Sequence, residues 1–319
     1  MNVNRRRFLA LLSVSGLGIA AFWKLLRSQA AQRQVSTLVP PSTQAAVAST
    51  PKNRSEASPS AAKDTPLLRF IAVADTGTGG EGQYAVAKAM THYHAQNPLS
   101  LVVLAGDNIY NNGEMEKISQ VFEQPYKALL KQGVKFQACL GNHDIRTANG
   151  TDQLQYAGFN MPSRYYTFQQ NPVQFFALDT NYNAEWQKQL SWLNQELSRS
   201  TATWKIVFGH HQLYSSGHYG VNTELVKVLP PLFQKYGVQL YINGHDHHYE
   251  RSIAIKGTTY LICGSGAGTR PVGKSSWTAY SAERLGFAAI DVYGDRMIIK
   301  GIGTNNSIFD TGTIPLKSA

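Results

Sequence analysis

The chain has 319 residues, enough for one large domain or two modest ones, and its 43% hydrophobic content is sufficient to bury a core. The formal charge of +10 suggests nucleic acid, but nine Lys and Arg stand against two acidic residues in positions 1–66, and only 21 against 18 in the rest. The excess belongs to the N-terminal region, which excludes a broad basic binding face. Cys139 and Cys263 both lie in apolar strand-like runs and read as buried thiols, so they say little about redox compartment.

Residues 1–30 open with Arg5-Arg6-Arg7 and continue with an acid-free apolar stretch from Ala10 to Trp23, the layout of a secretory signal. The paired arginines followed by Phe8-Leu9 resemble a twin-arginine signal, and Ser28-Gln29-Ala30 offers a small-residue cleavage site. Phe8 to Leu26 is also long enough to stay as a membrane anchor if Lys24 snorkels. Either outcome implies an exported protein: periplasmic, extracellular or anchored facing outside. Residues 31–66 turn to Ala, Ser, Thr, Pro and Gln without an apolar period, which predicts a disordered linker. One folded domain is then expected over 67–319.

Its first strand is predicted at Leu68 to Ala74, followed by a helix from Gly82 to Gln96 stopped by Pro98. A strand at Leu101 to Leu104, a helix at Gln120 to Lys131 and a strand at Lys135 to Leu140 follow. Val173 to Leu178, the helix Trp186 to Ser198, Lys205 to Phe208, the helix Leu225 to Tyr236 and Val238 to Ile242 continue the alternation. Three late runs, Thr258 to Cys263, Phe287 to Val292 and Arg296 to Ile302, alternate like an antiparallel sheet edge. The pattern predicts a layered α/β domain with mixed sheets, helices outside, and a site at the carboxyl ends of the strands.

Five of these strand ends share one design. They are Asp75-Thr76-Gly77, Gly106-Asp107-Asn108-Ile109-Tyr110, Gly141-Asn142-His143-Asp144, Val207-Phe208-Gly209-His210 and Gly244-His245-Asp246-His247. Taken alone, Asp107 could be the cap of an Asx-turn. A carboxylate at the mouth of a buried strand is costly unless a cation or donors meet it, and the repetition of oxygen and imidazole ligands points to one metal site with two ions.

Other matches carry less. Gly77-Thr78-Gly79-Gly80-Glu81-Gly82 fits a dinucleotide fingerprint, but Asp75 would sit beside the pyrophosphate and repel it. Gly268 to Ser275 fits the phosphate-loop pattern literally, but the helix it must open, Trp277 to Arg284, is short and interrupted by Gly286. It reads instead as a surface loop near the metal site, where Arg270 or Lys274 attracts an anionic substrate. His92 and His94 are read as surface residues, and Tyr249 and Arg251 as supporting or packing residues. Asp179 either holds a ligand histidine or caps a turn.

Together the five stretches resemble the purple acid phosphatases, members of the calcineurin-like metallophosphoesterases, with Tyr110 the residue that separates them from the wider superfamily. The similarity covers about 67–319 and looks closest to the small tartrate-resistant type. The resemblance implies a four-layer sandwich of two mixed β-sheets flanked by helices. It implies a trivalent iron held by Asp75, Asp107, Tyr110 and His247, and a divalent iron, zinc or manganese held by Asp107, Asn142, His210 and His245, with Asp107 bridging. His143 and His218 would face the substrate, a small phosphate ester cleaved by direct attack of a metal-bound hydroxide at mildly acid pH. Two departures are visible: the segment between Asp179 and Trp186 is short, and His211 is not a position of the family pattern. The rival readings are a phosphodiesterase of the same superfamily and a surface protein that binds metal or phosphate without turnover.

Overall fold

The computed structural model describes residues 65–316. The expected signal or anchor lies outside the described residues, as does nearly all of the expected linker. Thirteen strands run in chain order as β1 (Leu68–Val73), β2 (Leu101–Leu104), β3 (Lys135–Ala138), β4 (Tyr166–Gln170), β5 (Val173–Ala177), β6 (Trp204–Phe208), β7 (Leu240–Asn243), β8 (Tyr249–Ser252), β9 (Thr259–Cys263), β10 (Thr278–Ala282), β11 (Gly286–Val292), β12 (Arg296–Gly303) and β13 (Ile308–Pro315). The α-helices are α1 (Glu81–Gln96), α2 (Lys127–Lys131), α3 (Thr151–Gln155), α4 (Trp186–Arg199) and α5 (Thr223–Tyr236).

Two mixed sheets result, one six-stranded in the order β13-β12-β11-β1-β2-β3 and one seven-stranded in the order β10-β8-β9-β7-β6-β5-β4. The period-two rule explains how they stack. On β5, Val173, Phe175 and Ala177 join the core shared with the other sheet, while Phe176 points outward to Leu193 of α4 and Phe233 of α5. β6 and β7 repeat this, with Ile206, Phe208, Leu240 and Ile242 inward, Val207 and Tyr241 outward. Between the sheets Phe70 meets Phe175 edge to face at 5.3 Å, and each such fully buried ring contributes about 1.5–3 kcal/mol. On the outer face of the six-stranded sheet, Tyr93 of α1 packs on Phe287 of β11. The expected layered α/β sandwich of two mixed sheets with flanking helices is therefore the observed one.

Several expectations need correction. The helix foreseen at Gln120 to Lys131 is split into a π-helical turn at Ser119–Glu123 and the short α2. Pro125 lies between them, with no N–H to donate and a ring that crowds the preceding turn. Trp277 to Arg284 forms no helix; it contributes β10, paired antiparallel with β8, so the Gly268 to Ser275 loop opens no helix N-terminus. β11 and β12 are antiparallel as expected, but β9 lies in the other sheet, parallel to β7 and antiparallel to β8. His92 is exposed, but His94 is buried: its Nδ1 accepts from the Leu99 amide at 3.2 Å and its Nε2 meets Gln132 at 3.1 Å. Cys139 and Cys263 are free and buried. Tyr249 and Arg251 both donate to Asp310 of β13, at 2.7–2.8 Å, and so clamp one sheet to the other. No described helix is long and apolar enough to cross a membrane.

Candidate metal centre

The parallel strands β1, β2 and β3 deliver Asp75, Asp107 and Asn142 just beyond their carboxyl ends, and β6 and β7 deliver His210 and His245 from the facing sheet. Backbone bonds fasten the strand ends together: Asp75 N donates to Gly106 O at 3.0 Å and Gly244 N to His210 O at 3.0 Å. Asp75, Asp107 and His245 have φ of +56°, +52° and +68°. Left-handed backbone at non-glycine residues costs on the order of 1–3 kcal/mol each and gathers at functional sites. Two glycines make the approach possible. Gly106 has φ +85°, and a Cβ there would lie 2.6 Å from His210 Nδ1; a Cβ on Gly141 would collide with the Asp107 carboxylate.

Two ligand groups emerge. In the first, Tyr110 donates its hydroxyl to Asp75 Oδ1 at 3.0 Å and lies 3.2 Å from His247 Nε2, which is 3.3 Å from the same Asp75 oxygen. In the second, His210 Nε2 lies 3.1 Å from Asn142 Oδ1, 3.2 Å from His245 Nδ1 and 3.4 Å from Asp107 Oδ1. Ligand atoms of Asp75, Asp107 and His210 all fall within 4.8 Å of one another, which joins the groups through Asp107.

The donor chemistry fits cations. His210 Nδ1 sits 3.0 Å from Ala105 O, which assigns a proton to that nitrogen. Burial works to lower the ring, but Asp107 outweighs it and raises it to about 9, so without a metal Nε2 also carries a proton toward its acceptor neighbours. A proton on Nε2 serves one of those acceptors, whereas a metal ion serves them all. Burial, reinforced by the charges of Asp75 and Asp107, pushes the Tyr110 phenol far above its ordinary range, so a phenolate there requires a cation. Burial also works to raise the Asp107 carboxyl, but His210 and His143 outweigh it and hold the group well below the usual carboxylate range. His245 is pushed down to about 2, first by burial and then by the charge of His210, which leaves its ring neutral and able to bind metal.

The two residues expected to face substrate are placed differently. His143 lies beside the centre: its amide donates to Asp107 Oδ1 at 2.9 Å, its ring packs on Tyr110 at 4.5 Å, and its Nε2 is 3.9 Å from Asp107 Oδ2. His218 is exposed and contacts the centre at one remove, through Tyr219, whose ring stacks on His245 at 4.1 Å.

Sequence reasoning assigned no role to three residues that hold the ligands. Asp144, fully buried, accepts from Asn108 N at 2.9 Å, Ile109 N at 3.0 Å and Gly141 N at 2.7 Å, so one carboxylate ties the Asp107 loop to the Asn142 loop. Burial and the charge of Asp107 push it up to about 7. Thr180 Oγ1 accepts from the amides of His210 at 3.1 Å and His211 at 2.9 Å, and it meets His211 Nδ1 at 2.9 Å. Of the two roles open to Asp179, the turn cap is the observed one: it accepts from the Asn181 amide of its own turn at 3.0 Å and from Arg164 at 2.7 Å. Asp246 accepts from Ser215 at 2.6 Å and Tyr219 N at 3.2 Å, holding the loop that carries His218. The signal for Asp144 was its place inside Gly141-Asn142-His143-Asp144; Thr180 offered none.

Residues 68–249 match the family described as calcineurin-like phosphoesterase, more than half of the chain, and the chain belongs to that family. Within it, the chain is similar to purple and tartrate-resistant acid phosphatases. Purple acid phosphatase 7 of Arabidopsis thaliana is 30% identical over 239 residues, covering 64% of this chain and 72% of that one. Tartrate-resistant acid phosphatase type 5 of Mus musculus is 28% identical over 240 residues, 63% of this chain and 73% of that one. Among solved structures, purple acid phosphatase PPD1 of yellow lupin superposes with a TM-score of 0.64 at 18% identity, covering 78% of this chain and 53% of that one, a likeness of fold.

Proposed function

We propose that this chain is an exported acid phosphatase with a binuclear metal centre that hydrolyses phosphate monoesters. The observation that supports the reading best is the convergence of the two ligand groups on Asp107. Asp75, Asp107, Tyr110 and His247 would hold a ferric ion, because carboxylate and phenolate oxygens suit a hard trivalent cation. Asp107, Asn142, His210 and His245 would hold a divalent iron, zinc or manganese. When bound, such ions supply Lewis acidity and an activated water for in-line displacement at phosphorus.

The chain's own residues do the rest. Asp144 and Thr180 fix the ligand loops, so the donors need no rearrangement during turnover. His143 directs Nδ1 at Asn111 O, 2.6 Å away; its Nε2, 3.2 Å from the Arg146 guanidinium and 3.9 Å from Asp107 Oδ2, is the atom that would carry a proton to the leaving oxygen once Arg146 releases it. Its half-buried position beside Tyr110 keeps it in reach of both the centre and solvent.

The test is a comparison of substrates on metal-loaded protein. An aryl phosphate is turned over and its bis-aryl diester is not. Preference for the diester makes the chain a phosphodiesterase, and metal or phosphate binding without turnover makes it a binding protein. Export has its own test: Arg5→Lys with Arg6→Lys leaves precursor in the cytoplasm, and normal export of that variant refutes the twin-arginine route.

A further inference from the structure

The loop Gly268 to Ser275 opens no helix, yet it lies against the centre. Arg270 donates its amide to His247 O at 2.7 Å, so the loop is bonded to a residue of the first ligand group. At its far end Gly273 N donates to Ser216 O at 3.0 Å and the Ser216 hydroxyl meets Ser275 Oγ at 2.9 Å, which fastens it to the loop bearing His218. The Arg270 guanidinium lies 5.3 Å over the Tyr219 ring, and that ring is the one stacked on His245. A planar cation held by its face keeps its edge donors free.

Only part of that edge is used inside the protein, toward the Tyr219 side chain. Among the described residues, no carboxylate pairs with Arg270, and its Nη1 is buried without a hydrogen-bond partner. A guanidinium nitrogen withdrawn from water and left unpaired is costly, and an incoming oxyanion removes that cost. Three other arginines of the domain reach buried acids, Arg69 to Asp291, Arg164 to Asp179 and Arg251 to Asp310, whereas among the described residues Arg270 meets none.

We infer that Arg270 is the anion-holding residue of the site, gripping the non-bridging oxygens of a phosphoryl group brought over His245 and His247. Its planar fork suits a phosphate bidentately, and the Tyr219 ring sets its orientation. The inference rests on the phosphomonoesterase reading for the identity of the substrate but not for the binding itself.

Inorganic phosphate is the probe, titrated calorimetrically into metal-loaded full-length protein, alongside kinetics on an aryl phosphate. Arg270→Met keeps an apolar stem on Tyr219 and removes the fork. It weakens phosphate binding by about tenfold or more, the size of a charge-assisted hydrogen bond, and raises KM in step, with metal content unchanged. Arg270→Lys keeps the charge without the fork and binds phosphate with an affinity between the two, a check that stands if the Met variant does not fold. Phosphate affinity equal to wild type in both variants overturns the inference, as does a loss that tracks loss of metal. A wild-type protein that binds phosphate through Arg270 but turns over no monoester upholds it while refuting the phosphatase reading.

Discussion

The two ligand groups differ in how they are held. The Asp75, Tyr110 and His247 group is oxygen-rich and lies toward solvent, with the His247 side chain 21% exposed. Its members meet through the Tyr110 hydroxyl, and one backbone amide aims it, that of His245 on Asp75 Oδ2 at 2.9 Å. The Asp107, Asn142, His210 and His245 group is deeper, with the His210 side chain fully buried. Backbone atoms aim it: Ala105 O on His210 Nδ1, Thr180 on the His210 amide, and the His143 amide on Asp107. The deeper group is held by more scaffold bonds than the outer one, whose Tyr110 and His247 side chains are fixed chiefly by their contacts with Asp75 and each other.

Asp107→Asn breaks the contrast altogether, because that residue belongs to both groups. Turnover falls by more than the roughly 100-fold typical of losing a ligand's supporting hydrogen bond, and elemental analysis shows fewer than two metals per chain. Next in size, His143→Ala lowers turnover by about 10²-fold with both metals retained. Loss of metal in that variant makes His143 a ligand and not a proton carrier.

Tyr110→Phe strikes the outer group alone. A phenolate on ferric iron gives a visible charge-transfer band, so the wild-type protein loaded with iron is pink to purple and the variant is colourless, while part of the activity survives. A colourless wild-type protein reduces Tyr110 to a packed aromatic. Smallest is Thr180→Val, which strikes the deeper group alone. It weakens the second metal by about tenfold, leaves the colour, and changes turnover little at saturating metal. Equal weakening of both metals in a chelator titration would show that the two groups are not supported separately.

The solid part of the sequence reading was local. An apolar run that stops at Gly-Asp, Gly-Asn or Gly-His marks a buried strand and the ligand at its mouth, and both signals lie within a few residues of each other. That is why β2, β3, β6 and β7 and the candidate ligands just beyond them were legible in chain order. The tertiary structure alone decided matters that depend on partners distant in sequence. β9 alternates as an antiparallel edge strand would, yet it runs parallel to β7, because pairing follows sheet assembly and not side-chain period. β4, β10 and β13 lie at sheet edges, where half-buried polar residues blur the apolar pattern. Asp144 is an ordinary motif acid until Asn108, Ile109 and Gly141 surround it, and Thr180 is a turn residue until β6 brings His210 to its hydroxyl. Arg270, which the sequence did not separate from Lys274, is singled out only by Tyr219 and His247, 51 and 23 residues earlier in the chain. Residue type and local spacing determine which atoms can bind a cation or an anion; only the folded chain determines which of them meet.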